Sequence, residues 1–171
     1  MQGACILAIE TSCDETAVAI FNEGRLVASE VASQMAIHSE FGGVVPEVAS
    51  RNHLSALRPT LERAFSSAGL SLNDVDAVAA TNGPGLATSL MLGMSMAKGL
   101  AVALKRPFIA VNHMEGHLLS PFMSDPEEPC DSIGLVVSGG HTLLVRVFEN
   151  DRKSLLARFR NSRARYRRGA R

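Results

Sequence analysis

The run VNHMEGHLLS, Val111 to Ser120, carries His113 and His117 four residues apart with Glu115 between them. On an α-helix, with a rise of about 1.5 Å per residue and about 3.6 residues per turn, two imidazoles so spaced stack ~6 Å apart and can share one metal ion. The zinc-protease pattern places its general-base glutamate directly after the first histidine. Here Met114 holds that place, and Glu115 lies roughly 200° around the helix from His113. Spacing alone leaves two readings open: a two-histidine metal clamp of another kind, or a pair of surface histidines.

Three further clusters sit where turns are expected. In ETSCDET, Asp14 and Glu15 are carboxylates that could hold a magnesium ion or orient a water beside a phosphate, though acidic turn residues are also commonplace. In TNGPGLATS, Gly83 and Gly85 precede a helix start, where bare backbone N–H groups favour an anion; a tight strand-to-helix turn explains the same residues. In VVSGGHT, Ser138, Gly139 and Gly140 let a backbone approach a phosphate closely, without matching a dinucleotide or Walker fingerprint. Together these turns suit a nucleotide site and name no reaction.

The elements that must position them follow from period and punctuation. Strands are expected at Ile6–Glu10, Ala17–Phe21 and Leu26–Ala32, joined by a polar turn and an Asn-Glu-Gly turn short enough to require antiparallel pairing. A loop marked by Gly-Gly and Pro leads into an amphipathic helix over 46–67, with apolar positions at Val48, Leu54, Leu57, Leu61, Ala64 and Phe65. A short buried strand in VDAVAATNGPG, a helix from about Leu86 to Leu104 and the strand FIAVN complete an α/β layered domain.

The segments beginning at Ile6 and Ile133 both read strand, small or polar turn, strand, and align without a gap. A chain that starts a second copy of its opening hairpin is entering a second, similar domain. The charge is split as well: all 17 acidic residues precede Arg152, whereas Arg152 to Arg171 carries nine of the 17 Lys and Arg and no acid. Such a stretch is expected to stay disordered.

The 171 residues, 46% hydrophobic and 20% charged, are enough to bury a core. Cys5, Cys13 and Cys130 form an odd set without C-x-x-C spacing, which points away from a disulfide framework or zinc knuckle and toward a reducing cytoplasm. No signal peptide or membrane span is visible, because the most apolar region, Met91 to Val111, is interrupted by Lys98, Lys105, Arg106 and Pro107.

Five blocks, LAIETSCDETAVAI, FGGVVPEVASRNH, TNGPGLATSLMLGMSMAKGLA, VNHMEGHLL and LVVSGGHTLLV, occur in this order in what resembles the TsaD family, the tRNA adenosine threonylcarbamoyltransferases once labelled glycoproteases. The resemblance implies an α/β actin-like ATPase (ribonuclease H-like) fold. On this reading residues 1–130 are the first subdomain, 131–150 the opening hairpin of the second, and 151–171 a basic tail. It also implies transfer of a threonylcarbamoyl group from threonylcarbamoyl-adenylate to the adenosine beside the anticodon of tRNA. His113 and His117 match the family's metal-binding histidines, which hold iron or zinc with a later aspartate. Val136, Val137, Ser138, Gly139 and Gly140 match its substrate-binding loop, and Asp14 and Glu15 its acidic cleft residues. The implied ligands are one divalent metal ion and threonylcarbamoyl-adenylate or ATP. The implied partners are tRNA, a scaffold paralogue and an ATPase, with no membrane.

Family members run to roughly twice this length, and the tail RKSLLARFRNSRARYRRGAR lacks their acidic, glycine-containing continuation. A truncated or frameshifted chain, inactive alone, is one reading of it and a basic nucleic-acid arm the other. Two alternatives to the transferase remain: a metalloprotease, which lacks the adjacent glutamate, and a scaffold paralogue, which generally lacks the histidine pair.

Overall fold

A computed structural model describes residues 3–124, 132–137, 142–147 and 158–160. The chain divides into two compact units, Met1–His113 and Met114–Arg171.

The first unit opens with β1 (Ile6–Glu10), β2 (Glu15–Asn22) and β3 (Arg25–Ser33), an antiparallel meander. Asn22 pairs with Arg25, so the β2–β3 turn has two residues, and both Glu23 and Gly24 adopt positive φ (53° and 77°). That geometry matches the twist of the strands it joins and is why a glycine stands there. After α1 (Met35–Ser39) comes α2 (Pro46–Ala68), which starts with proline in its first turn and ends at Gly69 in the left-handed conformation. Next come β4 (Ala77–Gly83), α3 (Ala87–Leu104) and β5 (Phe108–Asn112). The sheet order is β3-β2-β1-β4-β5, with β4 parallel to β1 and β5 parallel to β4. This mixed five-stranded sheet with its helices is the α/β layout expected from the sequence.

One face of the sheet, through Leu7, Ile9, Val18, Ile20, Val78 and Ala80, forms the core with Leu57 and Ala64 of α2 and Ala97 and Ala101 of α3. The inward stripe of α2 differs from the apolar pattern. Its buried residues are Ala49, His53, Leu57, Thr60 and Ala64, whereas Leu54 is 67% exposed. Two of the five inward positions are polar, so a count of apolar residues selects the neighbouring row. His53 can turn inward because both ring nitrogens find partners there. Helix α3 is long and apolar enough, by length and composition only, to cross a membrane. Its buried positions, Ser89, Gly93, Ala97 and Ala101, recur every fourth residue and let the helix backbone lie close to its neighbours.

Helix α4 (His113–Leu119) begins on the last residue of the first unit. In the second unit, β6 (Ser132–Val137) and β7 (Thr142–Val147) pair antiparallel, so the hairpin expected from the repeat is present. Gly134 lies against Leu118; a Cβ there would stand 2.5 Å from the Leu118 Cδ2. Of the stretch expected to be a tail, Arg158–Arg160 forms β8, paired antiparallel with 144–146 of β7. The remainder of Arg152 to Arg171 lies outside the described residues, as do Ser138, Gly139, Gly140 and Cys130.

Candidate functional site

The turn from Thr11 to Asp14 leaves β1 at the end of the sheet where β4 also ends, and it is held from three directions. The Ser12 carbonyl accepts from the Leu86 amide at 2.7 Å, the Cys13 carbonyl from His53 Nε2 at 3.0 Å, and the Asp14 carbonyl from the Gln34 amide at 3.0 Å. Thr11 donates its hydroxyl to the Ser89 carbonyl at 2.8 Å. Three consecutive carbonyls are therefore capped by residues before α3, within α2 and before α1. Glycine at 85 and 93 permits this. A Cβ on Gly85 would lie 2.6 Å from the Ser12 carbonyl oxygen, and one on Gly93 would overlap the Thr11 hydroxyl. The TNGPG turn thus approaches the ETSCDET turn, and the Leu86 amide, at the start of α3, is occupied by protein.

Glu10, the last residue of β1, receives the Ser12 amide on Oε1 and the Thr81 hydroxyl on Oε2. His113 Nδ1 lies 3.4 Å from Glu10 Oε2 and 3.1 Å from Ser12 Oγ. Burial pushes the Glu10 carboxyl up, but the hydrogen bonds from His113, Ser12 and Thr81 outweigh it and hold the group at about 2. A fixed anion accordingly sits beside one nitrogen of His113. Sequence patterning gives Glu10 no signal beyond the last position of a strand, since its side-chain partners Thr81 and His113 are 71 and 103 residues away.

The expected acids lie nearby but differ in setting. Asp14 is half-buried in the turn, and Glu15 is exposed as the first residue of β2, paired with Ser33. Burial, and then the hydrogen bond to and charge of Asp14, push the Cys13 thiol up to about 11. His113 and His117 both belong to α4, at positions i and i+4, with Met114 buried and His117 exposed. Among the described residues no three potential ligands gather into a metal cluster. Of the expected substrate loop, Val136 is half-buried and Val137 is 68% exposed at the end of β6.

The surroundings of His113 Nδ1 are of the kind that a metal-holding ring would need. A metal-binding histidine usually gives its other ring nitrogen to a carboxylate, and Glu10 with Ser12 stands at Nδ1.

Comparison with known proteins agrees with this architecture. The chain is 52% identical over 154 residues to the tRNA N6-adenosine threonylcarbamoyltransferase of Trichlorobacter lovleyi, covering 90% of this chain and 45% of that protein. Against the protein of the same name from Moorella thermoacetica it is 49% identical, covering 93% and 47%. The chain thus spans about half the length of the curated relatives it matches. Among solved structures, YeaZ from Pseudomonas aeruginosa superposes with a TM-score of 0.61 at 23% identity, over 93% of this chain and 65% of that one, a likeness of fold. The family model for TsaD, tRNA N6-adenosine threonylcarbamoyltransferase, matches residues 25–161, which carries it past Val147 and through β8. By that match the chain belongs to the TsaD family.

Proposed function

We propose that this chain supplies the amino-terminal half of a transferase that moves a threonylcarbamoyl group from its adenylate to the amine of the adenosine beside the anticodon of tRNA. The observation that carries this reading is the family match over residues 25–161, on a fold whose Glu10, Ser12, Thr81 and His113 converge at one end of the sheet. His113 and His117, one helical turn apart, are the residues that would hold a divalent ion, iron or zinc. When bound, such an ion supplies Lewis-acid charge stabilisation and a template for the two reactants.

The chain's own residues do the rest of what this half contributes. Glu10 and Ser12 orient the His113 ring, and the capped turn fixes where Asp14 presents its carboxylate. Asp14 and Glu15 are the acids proposed to act at the reacting groups, and Val136 to Gly140 the segment proposed to bind the adenylate or ATP. The proposed partners are tRNA, a scaffold paralogue and an ATPase, in the cytoplasm.

The chain shares only about half the length of its relatives, and rate enhancement depends on every group that positions the reactants. The 171-residue chain, supplied with adenylate, tRNA and partner proteins, is expected to show no measurable transfer. A chimera joining residues 1–147 to the remaining half of the Trichlorobacter lovleyi relative is expected to be active, and His113→Ala in it to abolish activity. An inactive chimera that folds and binds tRNA would reject the proposal.

A further inference from the structure

We propose that Glu10 is a positioning residue that holds His113 as the Nδ1–H tautomer, so that the ring's lone pair lies on Nε2, the nitrogen offered to a divalent cation. The tautomer assignment stands on geometry alone; the role of Nε2 rests on the metal-binding reading above.

His113 Nδ1 faces the Ser12 hydroxyl at 3.1 Å and Glu10 Oε2 at 3.4 Å. A hydroxyl donates or accepts, so Ser12 alone permits either tautomer. An ionised carboxylate only accepts. Were the lone pair on Nδ1, it would face a carboxylate oxygen, a repulsive arrangement of two acceptors. A proton on Nδ1 removes the repulsion and is shared between the carboxylate and the hydroxyl. The carboxylate cannot readily turn aside, because the Ser12 amide holds Oε1 and the Thr81 hydroxyl holds Oε2. These donors come from the β1–β2 turn and from β4, so the orientation of the ring is set by the sheet rather than by α4 alone. Partners of this kind fix ring orientation and raise ligand basicity, and their loss typically costs about 10- to 100-fold in metal affinity.

The test uses the 171-residue chain with 15N-labelled histidine. Long-range 1H–15N correlation spectra, with His113 assigned among the five histidines by a His113→Asn variant, read the tautomer directly. The expected result is protonation at Nδ1. Glu10→Gln places an amide able to donate at the same position, so the Nε2–H form should become populated, and Thr81→Val, which frees one carboxylate oxygen, should shift the ring in the same direction by less. An Nε2–H tautomer in the unaltered chain would overturn the proposal, as would spectra unchanged in both variants.

Titration with zinc alone gives the second readout, expected to be about 10- to 100-fold weaker in Glu10→Gln. Equal zinc affinity despite a shifted tautomer would overturn the role given to Nε2. Absence of zinc binding in every protein, with the tautomer shifting as expected, would reject the metal reading and leave Glu10 as the determinant of the His113 tautomer.

Discussion

His53, fully buried in α2, is bonded to Cys13: its Nε2 lies 3.0 Å from the Cys13 carbonyl, 40 residues earlier in the chain. Because a carbonyl only accepts, Nε2 carries the proton, and in the neutral ring Nδ1 accepts the Thr16 hydroxyl at 2.7 Å. One side chain thereby ties α2 to the turn that follows β1 and to the start of β2.

Replacing it should cost stability well beyond a surface change. His53→Ala leaves the Cys13 carbonyl and the buried Thr16 hydroxyl without their partner and opens a void, for an expected loss of roughly 3 kcal/mol. His53→Gln, which can still donate to the carbonyl, should lose less. Urea denaturation of the two variants measures the difference, and equal losses would mean that volume rather than hydrogen bonding matters at this position.

Gly85→Ala tests the approach of the two turns. The added methyl would meet the Ser12 carbonyl oxygen and Cβ at 2.6 and 2.7 Å, so the backbone must shift. The expected penalty is about 1–3 kcal/mol. A change in the His113 resonances should accompany it, since Ser12 Oγ touches that ring. Unchanged stability and spectra would show that the turn yields freely.

The Cys13 thiol, although exposed, should alkylate slowly at neutral pH, because a group pushed up to about 11 is almost wholly protonated and the thiolate is the nucleophile. Cys5 is buried and pushed upward as well, by burial and then by Asp76 and Asp74. Timed iodoacetamide labelling with peptide mass mapping checks both sites. Labelling of Cys13 as fast as a free cysteine peptide would contradict the assignment.

Acid should weaken the first unit through Glu10. Its folded value, about 2, lies below the ordinary 4.5, so the folded state binds the proton less readily than the unfolded chain. The stabilisation is fully present above about 4.5 and is lost as the pH falls toward 2. Denaturation of the native chain and Glu10→Gln at pH 6, 4 and 3 should show their stability difference shrinking as pH falls; a constant difference would exclude this linkage.

Much of the fold is legible in the sequence. β1 and β5 occupy the residues expected from their apolar runs, α2 begins at Pro46 as expected, and α3 begins at Ala87, one residue after the expected Leu86. Helix α1 carries no comparable sign, since five residues without a side-chain cap leave no periodicity to detect. The inward row of α2 is hidden because His53 and Thr60 are buried through hydrogen bonding rather than hydrophobicity. Glu10 escapes notice for a related reason: local spacing singles out the Asp14–Glu15 and His113–His117 pairs only as candidates, while Glu10, which contacts His113, looks like the end of a strand.

The caps on the turn after β1 also set an order in time. Ribosomal synthesis releases the amino terminus first, yet the carbonyls of residues 12, 13 and 14 await Leu86, His53 and Gln34. Gln34 can reach Asp14 early, His53 follows once α2 has emerged, and Leu86 closes the set only after β4. Glu10 must wait longer still for His113. In a nascent chain the fully capped turn and the Glu10–His113 contact can therefore form only after most of the first unit has been synthesised.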